Sequence, residues 1–210
     1  MNQGKYVFAQ VVESLPQRAF DSCVGRYKGN YYVKHFSCWN QLLCMMFGQL
    51  GNRESLSDLI LCIEAHSSKA YHLGFGIGIS KNNLAKANEH RDWKIYCDYA
   101  SVIIAFARKY CTTDANSELT VEGNVYAFDA SVIDLCISIF WWAKYKKTKS
   151  AIKLHTLFDV KTSIPCFVLI TEAAVHDVNG MDSLIYEKDS YYIFDRGYID
   201  YKRLYKINKG

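Results

Sequence analysis

SYYIFDRGYID, residues Ser190–Asp200, runs a β-prone apolar segment, Tyr191 to Phe194, directly into a carboxylate, Asp195, with Arg196 and Gly197 following. VYAFDASVID, residues Val125–Asp134, repeats the construction, because Val125 to Phe128 lead into Asp129. An isolated carboxylate is costly to desolvate unless it is paired or holds a metal. Taken singly, each is well explained as a turn aspartate, since Asp commonly follows strands in loops. Two strands that each deliver an aspartate at their end, in these surroundings, point instead to one shared site.

Around these two stretches the texture is β. SAIKLHTLFDV alternates Ile152, Leu154, Thr156 and Phe158 against Lys153, His155 and Leu157, and IPCFVLITEA is a further strand opened by Pro165. A helix is expected from Asp177 to Glu187, then the strand SYYIFD and a helical start at YIDYKRLYKI. Three strands, a helix, a strand and a helix predict an α/β domain with helices on a central sheet. The polar stretch TTDANSELT, Thr112–Thr120, has no periodicity and marks the expected boundary. The expected division is therefore 1–111, helical; 112–120, linker; and 121–210, α/β.

Helical periodicity governs the first half. WNQLLCMMFGQLGN places Leu42, Leu43, Met46, Phe47 and Leu50 on one face and closes at Gly51-Asn52. Ser55 reads as an N-cap with Asp58 three residues on, and Leu56, Leu59, Ile60 and Ile63 follow at helical spacing. Two short helices joined by a Gly-Asn turn resemble a helix-turn-helix unit, although αα-hairpins are common. KNNLAKANEHR could form a short helix able to face DNA. Asp92 then begins a longer one, with the stripe Tyr96, Tyr99, Ala100, Ile103, Ile104 and Ala107. The glycines of GFGIGI alternate and lack the G-x-G-x-x-G spacing of a dinucleotide loop, so this stretch reads as a plain loop.

Half the residues are hydrophobic and 15% are aromatic, which excludes a disordered chain. The net charge of +4 is only mildly basic, but its distribution is uneven. Lys144, Lys146, Lys147, Lys149 and Lys153 fall together, and the tail carries Arg196, Lys202, Arg203, Lys206 and Lys209. Such clusters suit a polyphosphate backbone, and a solvated lysine face explains each alone equally well. The eight cysteines contain no C-x-x-C pair and sit mostly among apolar residues. They read as reduced, buried thiols rather than a disulfide framework or a zinc site. No secretory leader and no membrane-length apolar run is present, so no membrane partner is expected.

Two carboxylates on neighbouring strand ends can hold one or two divalent cations, which in two-metal sites lie about 3.5–4 Å apart. Hard oxygen ligands favour Mg²⁺ or Mn²⁺ over zinc. An aspartyl-phosphatase reading fails on D-x-D, because position 131 is Ser. His155 and His176 could approach DNA or the metal, but a structural histidine is the better account of each. Arg196 could bind a phosphate or pair with a strand-end acid. Trp141 and Trp142 read as sheet packing in preference to DNA stacking. Asp134, in a continuing strand, would face away from Asp129.

Asp129, AIKLHTLFDV, HDVNGMD and FDRGY together resemble the DDE-type insertion-sequence transposases with a ribonuclease H-like catalytic domain. WNQLLCMMFGQLGNRESLSDLI and LAKANEH are similar to the helical N-terminal region of a bacterial subgroup. The resemblance implies an α/β fold in which a helical, DNA-binding N-terminal domain precedes an incomplete ribonuclease H-like mixed sheet with flanking helices. It makes Asp129 the first catalytic acid and Asp195 the second, both as ligands of Mg²⁺ or Mn²⁺. Lys144, Lys146, Lys147, Lys149, Lys153 and Arg196 would hold DNA phosphates. The implied partners are transposon-end DNA, target DNA and a second copy of the chain. The implied location is the bacterial cytoplasm, at the nucleoid.

The family also needs a third acid, a Glu on a later helix, and this sequence ends at Gly210 with Asp200 as the sole acid after Asp195. The expectation is therefore a C-terminally truncated transposase with activity lost, or, from a different functional class, a non-catalytic DNA-binding or dimerising remnant.

Overall fold

Serine caps punctuate the first half of the chain. Ser37, Ser55 and Ser80 each accept a hydrogen bond from the backbone N–H three residues on, opening three helices at the sites where short polar side chains compete best for orphan donors. The computed structural model describes residues 6–111, 121–135, 144–146 and 149–209. The chain divides into two units, Met1–Ile103 and Ile104–Gly210.

Within the first unit lie α1 (Val7–Ser14), α2 (Gln17–Arg26), α3 (Cys38–Leu50), α4 (Leu56–Ala65), the short α5 (Ser67–Ala70) and α6 (Lys81–His90), while α7 (Lys94–Cys111) runs across the division. Leu43, Leu59, Ile60, Ile63 and Leu84 form one core, and Phe20, Cys38, Ile95 and Tyr99 a second. The α3 face differs from its apolar stripe. Leu50 is exposed, whereas the polar Asn40 and Gln41 are buried. Both are bonded: the Asn40 amide brackets the 76–77 backbone of the glycine loop, donating to Ile77 O (3.1 Å) and accepting from Gly76 N (3.0 Å). Gln41 Oε1 accepts from Arg91 Nη1 (2.9 Å) and from the Tyr96 hydroxyl (2.6 Å). Satisfied polar groups of this kind can be buried without the penalty an unpaired one carries.

A mixed sheet makes up the second unit: β1 (Val125–Leu135), β2 (Lys144–Lys146), β3 (Lys149–Asp159), β4 (Ile164–Glu172) and β5 (Tyr191–Phe194), followed by α8 (Tyr201–Lys209). β3 is central, antiparallel to β1 on one side and to β4 and the short β2 on the other, while β5 pairs β1 in parallel at the edge. The architecture is α/β, with helices flanking a ribonuclease H-like mixed sheet.

Two sequence expectations change here, and the facing of β3 becomes defined. β1 does not end at Asp129 but continues to Leu135, because Ser131, Val132 and Ile133 suit a strand and pair with Leu154, Lys153 and Ile152 of β3. The buried face of β3, which the alternation alone left open, is the Lys153/His155 side. Alternate residues Ala151, Lys153, His155, Leu157 and Asp159 are all buried, on the face where Tyr126, Phe128, Met181, Leu184 and Tyr198 pack. The helix expected over Asp177–Glu187 is a 3₁₀ segment, Asp177–Ser183, after which the chain is non-helical up to β5. Asn179 and Gly180 are poor helix formers. Gly180 also lies so close to His155 that a Cβ would stand 2.8 Å from its Nδ1.

Candidate active site at the carboxylate pair

Register fixes the geometry of the site. β1 and β5 pair in parallel as Val125↔Tyr191, Tyr126↔Tyr192, Ala127↔Ile193 and Phe128↔Phe194. The next position on each strand is Asp129 and Asp195. Asp195 is still extended (φ −67°, ψ 160°), so side-chain alternation turns both aspartates to the face opposite Phe128 and Phe194. Both are exposed, one in mid-strand and the other at a strand end. The Asp195 carboxylate accepts from the Arg196 backbone N–H and caps the 3₁₀ turn Arg196–Tyr198. Asp134 pairs with Ala151, and alternation puts it on the other face from Asp129.

Two exposed oxygen ligands of this kind on one face fit a hard divalent cation. Among the described residues no group of three or more His, Cys, Asp or Glu side chains is arranged to hold a metal ion. Asp200 does not join the pair. It caps α8, and the backbone N–H of Arg203 (3.1 Å), then the Arg203 guanidinium (2.7 Å), hold its carboxyl below the usual range.

Beneath the pair lies a buried polar cluster that sequence reading missed. The Lys153 ammonium contacts Asp177 Oδ1 at 2.7 Å and donates to Val175 O at 2.6 Å. His155 is fully enclosed, its Nε2 is 2.9 Å from Thr171 Oγ1, and its ring stacks on Phe128. Burial holds the imidazole below its ordinary pKa, with Asp177 acting against this and Lys153 with it. Tyr198 is 3% exposed, and its hydroxyl has no hydrogen-bond partner among the described residues. Burial pushes this phenol up to about 12, and the carboxylates of Asp177, Asp129 and Asp195 add to the rise. The motif FDRGY carried Tyr198 in plain view, but nothing in the sequence distinguished it from any other aromatic.

The expected phosphate-binding set is redistributed. Lys153 is 8% exposed with its charge committed inward, which removes it from that set: the β3 register faces it to the core. Arg196 is exposed beside Asp195. Lys147, Trp141 and Trp142 lie outside the described residues, as do the side chains of Lys144, Lys146 and Lys149, whose backbones belong to β2 and β3. In the tail, Arg203 is held by Asp182, Asp200 and Asn179, leaving Lys202, Lys206 and Lys209 exposed. His176 is exposed and accepts from Val178 N at 3.4 Å, capping the 3₁₀ segment. Among the described residues no helix is long and apolar enough to cross a membrane.

A mixed sheet with a parallel edge pair next to antiparallel neighbours is ribonuclease H-like, and here that edge pair leads into two exposed acids. Residues 122–210 match the family described as Transposase DDE domain, and residues 3–76 match a Domain of unknown function (DUF4372). Together the two matches support a DDE-type insertion-sequence transposase. No curated protein and no solved structure matches it.

Proposed function

We propose that the second unit supplies the first two catalytic carboxylates, Asp129 and Asp195, of a metal-dependent phosphoryl transfer on DNA that cuts transposon ends and joins them to target DNA, a reaction that also requires a third acid. The observation that carries this reading is the parallel register ending at Phe128↔Phe194, after which the two aspartates are the next neighbours on one exposed face. A bound Mg²⁺ or Mn²⁺ would stabilise charge on the attacking and leaving oxygens of an in-line displacement. The chain's own residues do the rest. Asp129 is fixed by a ladder running through both sides of β1, and Asp195 by its capping contact to Arg196 N. Arg196 and the exposed tail lysines supply phosphate contacts alongside. In this reading residues 1–111 form the DNA-binding domain, 112–120 the linker and 121–210 the catalytic domain, and a homodimer engages the two transposon ends.

Mn²⁺ titration of the wild-type chain against Asp129→Asn, Asp195→Asn and the double variant tests the assignment. One carboxylate pair should bind an ion, and each single variant should weaken it at least about tenfold, the low end of what altering ligand environments costs. Equal binding by wild type and the double variant would overturn the reading.

A further inference from the structure

The first unit displays two tyrosines in a way that packing does not explain. Tyr31 and Tyr32 are 66% and 87% exposed, with ring centroids 4.1 Å apart and hydroxyls 3.2 Å apart. Neighbouring side chains ordinarily diverge. These converge at a residue in the left-handed region, where Tyr32 has φ +58°. That backbone is unfavourable for any residue with a Cβ, and a bulky one there is uncommon. The ring gains little burial in exchange. Lys28, four residues earlier, is also left-handed (φ +52°) at the end of α2, where glycine is the usual choice, and it too is exposed. Gly29 beside it is needed for another reason, since a Cβ there would stand 2.4 Å from Ile95 Cδ1. The loop is anchored where Asn30 Oδ1 accepts from Cys38 N at 2.8 Å. Strained residues on an anchored loop that project their side chains outward mark functional positions more than structural ones.

These tyrosines border an open depression of about 760 Å³ between the 27–36 loop and α6. Lys28, Lys34, Lys86 and His90 line it and are exposed. Asp92 is the one carboxylate among its lining residues. Arg91 serves as its floor, with the guanidinium turned inward to Ser37 O, Gln41 and Phe36 O. A lysine rim beside two adjacent exposed tyrosine rings, tilted 57° to one another so that each offers its own face, matches what unpaired nucleotides need. Phosphates track cations, and bases of any identity stack on a ring face. An intact duplex hides its base faces and can use only the rim.

We infer that the Tyr31–Tyr32 depression is a single-strand site, which stacks an unpaired DNA base on the tyrosines while Lys28, Lys34 and Lys86 hold the adjoining phosphates. It rests on the reading of the chain as a DNA-acting protein but not on the carboxylate pair. Strand cutting and joining at staggered positions expose unpaired nucleotides, so the proposed reaction can supply the ligand class.

The test uses the full chain and three DNAs of one sequence carrying 2-aminopurine: a single strand, a duplex with the probe base bulged, and a blunt duplex. Stacking should quench the probe in the first two and leave the third unchanged. Tyr31→Ala/Tyr32→Ala should weaken single-strand and bulge binding at least about tenfold, within the range one or two lost base–aromatic stacks carry, with duplex affinity preserved. Tyr31→Phe/Tyr32→Phe should restore it. Both pairs are surface changes, and circular dichroism confirms folding. Undiminished single-strand binding by the alanine pair overturns the inference, as does equal competition by polyglutamate, which would make the depression a general anion surface. If duplex binding persists without any single-strand preference, this inference fails and the transposase reading stands. Loss of Mn²⁺ binding in the Asp129 and Asp195 variants is independent of all these outcomes.

Discussion

Phe128 and Phe194 are register partners on parallel strands, their rings meeting edge to face at 6.1 Å, and each directly precedes one of the two exposed aspartates. Tyr198 closes the group, 5.5 Å from the Phe128 ring and 6.0 Å from that of Phe194. The aromatic trio fills the core face of the sheet at the point where the carboxylates emerge on the other. Relative placement of Asp129 and Asp195 is therefore set by packing beneath them as well as by the ladder. Sites built on locked side chains and strands hold their geometry better than sites on loops.

Tyr198 separates ring from hydroxyl. Tyr198→Phe keeps the packing and deletes a buried oxygen without a protein partner, so thermal or urea unfolding should show stability unchanged or raised by about 1 kcal/mol. Tyr198→Ala should cost about 3–5 kcal/mol, the usual penalty for emptying an aromatic core position. It should also weaken Mn²⁺ binding by letting the two strands shift. A destabilised phenylalanine variant would mean that the hydroxyl has a partner, such as a buried water.

Gly180→Ala should be among the most damaging small changes in the second unit. Its Cβ would meet His155 Nδ1 at 2.8 Å and Phe128 Cζ at 3.1 Å, both on buried rings with little room to yield. Overpacking of this kind costs about 1–3 kcal/mol. Denaturant midpoints with unchanged slopes would measure it, and a neutral result would show that the 3₁₀ segment can move off the sheet.

The outline of this site was legible because strands announce themselves locally. YAFD and YYIFD carry the β-branched and aromatic texture that ends in a carboxylate, and the parallel pairing makes those two ends neighbours. Facing was not legible. Alternation in KLHTLF assigns Ile152 and Leu154 to one side and Lys153 and His155 to the other, and ordinary hydrophobicity buries the first pair. The fold buries the second, because Asp177, Thr171 and the Val175 carbonyl, distant in sequence, supply partners for the charge and the ring. The end of β1 was misplaced for a similar reason. Asp129 looks like a terminator alone, but the β3 residues that continue the ladder opposite Ser131 to Leu135 lie far along the chain.

His155 gives this unit a pH dependence. Burial lowers its folded-state pKa, with Asp177 and Lys153 the charged groups acting on it in opposite senses. A group with a depressed folded pKa of this basic type favours folding when neutral. Its contribution is present above the unfolded histidine value of about 6.5 and is lost as pH falls below it, when the unfolded chain takes up the proton first. Unfolding free energy measured from pH 8 to pH 5 should decline through that window, and His155→Gln should flatten the decline. An unchanged slope in the variant would assign the effect to other groups.

Arg196 and Lys153 were grouped by sequence as phosphate ligands, and the structure separates them. Arg196 is exposed beside Asp195, whereas Lys153 is buried against Asp177. Each phosphate contact adds about 0.9 to the slope of log affinity against log salt for duplex DNA. Arg196→Gln should therefore reduce that slope by about 1 and weaken binding to all duplex sequences alike. Lys153→Gln should leave the slope unchanged and act on stability instead. Removing one partner of a buried pair costs about 3–5 kcal/mol when both charges are enclosed, but the Asp177 side chain is 42% exposed and can be rehydrated, so about 1–2 kcal/mol is expected. Anisotropy titrations at several salt concentrations, with urea unfolding of the same variants, measure both quantities. A reduced salt slope in Lys153→Gln, with stability intact, would mean that Lys153 leaves Asp177 to reach DNA when the complex forms.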